Sequence, residues 1–233
     1  MRINKFISET GFCSRREADK LVESGRVTIN GLVAELGSQA EHGDDVRVNG
    51  KRIGAQKKHV YIALNKPVGI TSTTEGHIKG NIVDFVGHAE RIFPIGRLDK
   101  DSEGLILLTN DGDVVNPILR SEGKHEKEYI VTVDRPVNDA FVRGMSQGVK
   151  VLGSLTLPCK VTRVAERTFR IVLTEGRNRQ IRRMCEAFGF HVRKLKRVRI
   201  MNIHLGELAT GKWRNLSEDE RRELFGLLDY SPK

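Results

Sequence analysis

The sequence predicts an α+β protein: a small helix-then-sheet module followed by a larger, mixed and mostly antiparallel sheet carrying several helices. Two short amphipathic helical patterns precede two Asn-Gly hairpin signals within the first 54 residues. Beyond residue 60, strand-like runs follow one another without the strict βαβ alternation that a doubly wound sheet needs. With 233 residues, 38% of them hydrophobic, the chain has enough apolar material for one or two real cores.

In the first module, Ile3, Phe6 and Ile7 recur at helical spacing, and Gly11 suits the end of that helix. A second helix starts at Ser14, where Ser14 and Glu17 form the S-x-x-E capping box. Ala18, Leu21 and Val22 supply its apolar stripe, and Gly25 ends it. Val27 and Ile29 then alternate up to Asn30-Gly31, and Val46 and Val48 up to Asn49-Gly50. The expected boundaries are 1–54 for this module, 55–59 for a polar, basic linker and 60–233 for a second domain. In the second domain the runs VYIAL, GLILLT, EYIVTV, VTRV, FRIVL and VRIMNIHL read as strands. Helical stretches are expected around Asn81–Val86, Val114–Leu119, Asp139–Gln147, Gln180–Phe188 and Ser217–Leu228, the last with a Ser217/Glu220 capping box.

Forty Lys and Arg against thirty Asp and Glu give a net charge of +10, which favours a polyanionic partner, nucleic acid first. The first 54 residues hold nine basic and eight acidic side chains, so almost all of the excess lies beyond them. Gly176–Ile200 alone carries nine Lys/Arg against the single carboxylate of Glu186, interleaved with apolar Ile181, Met184, Phe188 and Leu195. The start, MRINKFISET, has neither a signal-peptide apolar core nor a cleavage site, and no apolar run approaches a membrane span. Cys13, Cys159 and Cys185 are odd in number and widely spaced, so neither a disulfide framework nor a CxxC metal site is expected. A reducing cytoplasm and a monomer fit this reading.

The common nucleotide and acyl-transfer motifs are missing, and the seven histidines show no zinc spacing. Asp99, Asp101 and Glu103 mimic part of a calcium loop, but Asn110 stands where the bidentate carboxylate is needed. No metal or other cofactor is expected. One feature of the first module is not explained by folding. Arg15 and Arg16 lie in the first turn of the second helix, where the macrodipole disfavours each cation by about 0.3 to 1 kcal/mol. A bound phosphate would reverse that sign; solvated arginines are the alternative. Chemistry is concentrated in FPIGRLDKDSEGLILLTNDG, Phe93–Gly112, where a turn dense in Gly, Arg and Asp leads into a buried strand. By composition alone this could equally be a structural ion-pair turn.

Two resemblances decide between these readings. NKFISETGFCSRREADKLVESGRVTINGLVA resembles the S4, αL-like RNA-binding domain, which implies that Lys5, Arg15, Arg16 and Arg26 meet structured RNA. GRLDxxSxGLxLLTNDG at Gly96–Gly112 resembles the signature of the RsuA-type pseudouridine synthases, and three further motifs of that family occur in order. These are NKPVGITST at Asn65–Thr73, KEY at Lys127–Tyr129 and EGRNRQIRRM at Glu175–Met184. Ser102 stands where many relatives have Thr, which keeps the hydroxyl. The resemblance spans nearly the whole chain and is strongest toward the large-subunit rRNA enzymes of the group.

The resemblance implies a cofactor-free isomerase acting on structured RNA, with 23S rRNA first and tRNA or 16S rRNA as alternatives. Asp99 is then the catalytic carboxylate, Arg182 the arginine that pairs with it, and Tyr129 the aromatic that meets the flipped uracil. Arg97, Arg179, Lys66 and the apolar Ile181 complete the expected substrate-binding set. Turning uridine into pseudouridine breaks the N1–C1′ bond, rotates the base and rejoins it through C5, with no redox change. One ionised carboxylate suffices for this chemistry, so Asp101 is expected to be dispensable. Two other classes compete. A non-catalytic RNA-binding protein explains the basic charge and the first module but not Asp99, Tyr129 and the arginine-rich helix together. A glycoside hydrolase needs two working carboxylates, and a basic surface suits a neutral sugar poorly.

Overall fold

The computed structural model describes residues 1–54, 58–120 and 124–232. It divides into two compact units, one of Met1–Val60 with Ala89–Arg91 and Asn110–Gly112, the other of the remaining residues. Of the expected linker, residues 55–57 lie outside the described residues.

In the first unit, α1 (Ile3–Glu9) and α2 (Arg15–Glu23) precede the strands β1 (Val27–Ile29), β2 (Leu32–Val33), β3 (Val46–Val48) and β4 (Lys51–Arg52). The Ser14 hydroxyl accepts from the Glu17 amide, and the Glu17 carboxylate accepts from the Ser14 amide, so α2 starts where its capping box requires. The sheet runs β2-β1-β3-β4, all antiparallel. Both turns place Asn and Gly at positive φ, 51° and 84° at Asn30-Gly31 and 53° and 74° at Asn49-Gly50, as a type I′ hairpin demands. Ile3, Ile7, Ala18, Val22, Val27, Val46 and Val48 form its core.

The second unit continues with β5 (Tyr61–Lys66), α3 (Ile82–Val86), β6 (Phe93–Ile95), β7 (Glu103–Thr109), α4 (Val115–Leu119) and β8 (Lys127–Val133). There follow α5 (Asp139–Ser146), β9 (Lys150–Val151), β10 (Ser154–Leu155), β11 (Lys160–Ala165), β12 (Thr168–Leu173) and α6 (Gln180–Ala187). The chain closes with β13 (Val192–Ile200), β14 (Ile203–His204), β15 (Trp213–Asn215) and α7 (Glu218–Leu228). One large sheet has the order β11-β12-β8-β13-β7-β5-β15, with β14 on β13 and β6 on β7. Among the described pairings in it only β13 on β7 is parallel, so the expected mixed, mostly antiparallel α+β architecture is what forms. One apolar cluster packs α5 and α6 on β8, β12 and β13, with Phe141, Phe169 and Met184 at its centre. A second packs α4 and α7 on β5 and β7 around Leu105, Leu107, Ile118 and Leu224.

Two details depart from the sequence reading. VRIMNIHL is not one strand: β13 begins earlier, at Val192, and the chain reverses into β14 through Met201, at φ 52°. The unexpected strands β6, β9, β10 and β15 are two or three residues each and carry too little pattern to be seen in advance.

Register gives the sheet a transverse row that matters for the site. Tyr129 faces Ile171 on one side and Arg197 on the other; Arg197 also pairs with Gly104, and Gly104 with Lys66. Gly104 sits at φ +103°, and a Cβ there would lie 2.3 Å from the Arg197 carbonyl oxygen. Glycine is therefore required for β7 and β13 to approach each other.

Candidate active site

Asp99 lies in the loop between β6 and β7, a loop tied down at both ends. Leu98 is buried and its amide and carbonyl both bond the Ser72 hydroxyl, at 3.2 and 2.8 Å. The Lys100 carbonyl accepts from the Gly69 amide at 2.8 Å, and the Asp99 carbonyl from the Ser102 amide at 3.0 Å. The NKPVGITST segment thus holds the GRLD segment. Lys66 takes part in this support. Instead of lining an RNA-facing surface it is fully buried, and its ammonium donates to the Pro67 and Ile70 carbonyls, both at 2.9 Å. Burial lowers its pKa to about 8, against the raising fields of Asp101 and Asp99.

The arginine-rich segment comes up beside this loop. Arg179 caps α6 in a left-handed conformation at φ 51°, a strained placement for a side chain with a Cβ. Its guanidinium grips Asp101 in a bidentate pair at 3.1 and 3.0 Å and stands 3.8 Å from the Asp99 carboxylate. Three residues on, Arg182 is buried. It donates to the Asp101 carbonyl at 3.0 Å, the Ser102 hydroxyl at 3.2 Å and the Val192 carbonyl at 3.4 Å, and lies 3.3 Å from the Asp101 carboxylate. Ser102 therefore uses the hydroxyl that it shares with threonine.

The expected pairing of Arg182 with Asp99 is thus not the one the structure forms. The 99–102 turn puts Asp101 and Ser102 over Arg182, whose Nη2 donates to both, and Arg179 is the arginine that stands within 4 Å of Asp99 among the described residues. Nor is Asp101 the idle neighbour that spacing suggests, since both arginines rest on it. Burial acts to raise its carboxyl, but the hydrogen bond from Arg179 and the charges of Arg182 and Arg179 outweigh that and hold it below the usual carboxylate range.

These groups open onto a cavity of about 470 Å³, lined among others by Arg97, Asp99, Tyr129, Arg179, Ile181 and Arg197. Asp99 is partly exposed at it, with 38% of its side chain accessible. Tyr129 comes from β8 and Ile181 from α6, so the cavity has an aromatic and an aliphatic wall beside a carboxylate, and cations around them. Of the expected residues, Asp99, Tyr129, Arg182, Arg97, Arg179 and Ile181 are brought together here, while Lys66 lies beneath. Asp101, Lys127 and Arg197 were not expected. Lys127 and Arg197 line the cavity because of strand register, which sequence spacing does not reveal.

Lys5, Arg15, Arg16 and Arg26 belong to the first unit. Lys5 pairs with Glu9 at 3.5 Å, and Arg26 donates to the Asn49 side-chain oxygen at 2.5 Å. Arg15 and Arg16 are exposed at the first turn of α2. The capping box already occupies the Ser14 and Glu17 amides at this end.

Comparison with known proteins gives this geometry a family. Residues 60–187 match the family model described as RNA pseudouridylate synthase, and residues 1–46 match the S4 domain. The chain is 57% identical over 233 residues to the dual-specificity RNA pseudouridine synthase RluF of Escherichia coli strain K12, covering 99% of this chain and 80% of that protein. It is 37% identical to the ribosomal large subunit pseudouridine synthase B of Bacillus subtilis, with 98% of this chain and 97% of that protein covered. A solved structure described as a pseudouridylate synthase superposes at a TM-score of 0.71 with 30% identity, over 96% of this chain and 99% of that one. Fold, motifs and relatives agree: the chain belongs to the RNA pseudouridine synthase family and carries an S4 domain at its N-terminal side.

Proposed function

We propose that this protein converts a uridine of structured RNA, in the first place large-subunit rRNA, to pseudouridine, with Asp99 as the reacting carboxylate. The observation that carries the reading is the cavity in which Asp99 faces Tyr129 and Ile181 with Arg179 3.8 Å from its carboxylate. A uridine inside a folded RNA reaches such a cavity only by leaving its stack, and the Tyr129 ring offers the extruded base a stacking face worth about 1 to 3 kcal/mol. Asp99 then attacks C1′ of the ribose, adds to C6 of the uracil, or removes a ribose proton; each route needs the ionised carboxylate. After N1–C1′ cleavage the base turns, C5 bonds to C1′ and then gives up its proton to the Tyr129 oxygen as that phenol passes its own proton on; any bond to Asp99 breaks in the course of these steps, and N1 takes up a proton. Residues 1–54 act as the RNA-docking module and residues 60–233 as the catalytic domain. The names of the two relatives support an RNA substrate and rRNA in particular. The working form is a monomer in the cytoplasm.

The test is release of tritium from C5-labelled uracil in 23S rRNA, 16S rRNA and tRNA transcripts incubated with the protein. Release from 23S rRNA is the expected result. Release from tRNA or 16S rRNA alone would move the substrate, and binding without release from any of them would reduce the chain to an RNA-binding protein.

A further inference from the structure

Arg197 has no role in the account so far, and its surroundings are unusual. It is 4% exposed, yet it lines the cavity. Its Nε donates to the Leu105 carbonyl at 2.6 Å, its guanidinium carbon lies 6.0 Å from the centre of the Tyr129 ring, and its Nη2 is buried without a hydrogen-bond partner among the described residues. A buried donor left without a partner destabilises the fold, more so when it is charged. The fold nevertheless builds this position with care, since Gly104 at φ +103° exists to let β13 come this close to β7. Lys127 and Lys66 lie nearby, and Arg197 contributes, after burial, to lowering the pKa of both. The region is thus rich in cations that have given up water and not gained carboxylate partners of their own.

We infer that Arg197 is a further substrate-binding residue, whose open Nη2 edge donates to a carbonyl oxygen of the extruded uracil and stabilises the negative charge that the base acquires. This deepens the functional proposal above and rests on it. The chemistry places charge on those oxygens by either covalent route. Breaking N1–C1′ leaves the bonding pair on the base, delocalised from N1 onto O2 and O4; addition of a carboxylate to C6 pushes a pair through C5 onto O4. On the first route the bond from C1′ to the carboxylate breaks as C5 bonds to C1′, on the second the carboxylate leaves C6 as C5 gives up its proton, and on both N1 takes up a proton, so the charge on the base is discharged and no electrons are gained or lost. A fixed donor in a site with little water stabilises such charge far more than one in bulk solvent. A bond to O4 also selects the base, since uracil presents an acceptor at C4 where cytosine presents a donating amino group.

The test combines Arg197→Met with target RNA carrying 2-thiouridine or 4-thiouridine at the modified position, because sulfur accepts hydrogen bonds weakly. With uridine, Arg197→Met is expected to slow single-turnover release of C5 tritium roughly 100- to 1000-fold while RNA affinity by fluorescence anisotropy stays within a few-fold. One of the two thio substitutions is expected to slow the wild type about 10-fold and to add little further loss in the variant. If Arg197→Met does not fold, Arg197→Lys, which keeps the charge, carries the same comparison with a smaller loss and weaker coupling. Fully additive penalties with both thio bases, or a wild-type rate for the variant, would overturn the inference. Absence of tritium release by the wild type would instead overturn the functional proposal beneath it.

Discussion

Asp101 is the residue whose part changes most between sequence and structure. Two positions after Asp99, the carboxylate proposed to react, it looks redundant, yet it holds Arg179 by two hydrogen bonds and meets Arg182 as well. Asp101→Asn removes the charge that keeps both guanidiniums in place, so Arg179 loses its hold beside Asp99. Since misplacement of a positioned group by about 1 Å can cost on the order of 100-fold, kcat is expected to fall roughly 10- to 100-fold with KM little changed. Equal losses in kcat and thermal midpoint across Asp101 variants would point to a merely structural part. Lys66 offers a second check, through pH. Its folded-state pKa of about 8 lies below the unfolded value, so between pH 8 and 10.5 the unfolded chain holds the extra proton and stability rises with pH. Below pH 8 the buried ammonium costs about 3 kcal/mol at constant level. Urea titrations of the wild type and Lys66→Met should therefore show the difference shifting toward the wild type by up to that amount as pH is raised from 7.5 to 10.5; a pH-independent difference would contradict the burial.

At the level of elements, close approach of β13 to β7 is what assembles the cavity wall, and Gly104 is where it can be broken. Gly104→Ala meets the Arg197 backbone and an unfavourable φ together, so a loss of at least about 1 to 3 kcal/mol is expected by chemical denaturation. Because Arg197 moves with β13, activity should fall further than stability. An unchanged midpoint would show that the two strands can part without cost. The same pairing explains what could be read in advance. Helices announced themselves through local signals: the Ser14/Glu17 and Ser217/Glu220 boxes and the Asn81 and Asn138 caps all lie within three residues of what they bond. Long apolar strands such as β5, β7 and β12 were equally plain. The reversal at Met201-Asn202 was not, because positive φ on methionine has no sequence signal. Asp99, Tyr129, Ile181 and Arg179 were legible through motif resemblance, whereas the parts of Asp101 and Arg197 depend on contacts about 80 to 90 residues apart in the chain. No local pattern encodes those.

For the molecule as a whole, charge is divided unevenly between an S4 unit that is nearly balanced and a strongly basic second unit. If Arg15 and Arg16 meet phosphates, changing both to Gln should leave the thermal midpoint equal or slightly higher, since an unfavourable dipole contact is removed. RNA affinity should fall, and the slope of log affinity against log salt should shrink by about one and a half units. Unchanged affinity and slope would make these arginines solvated bystanders. Chemistry on a bound minimal stem-loop should survive the double change, because the carboxylate and its arginines lie in the other unit. If docking and reaction are separate, as the proposed function has them, Asp99 is the decisive position. Asp99→Asn keeps the shape of the side chain but can act neither as base nor as nucleophile. The most direct measurement is single-turnover release of C5 tritium from 23S rRNA by purified Asp99→Asn, with RNA affinity measured in parallel. The expected result is no release above background with affinity within a few-fold of the wild type, and measurable release by the pure variant would contradict the assignment of Asp99 as the reacting carboxylate.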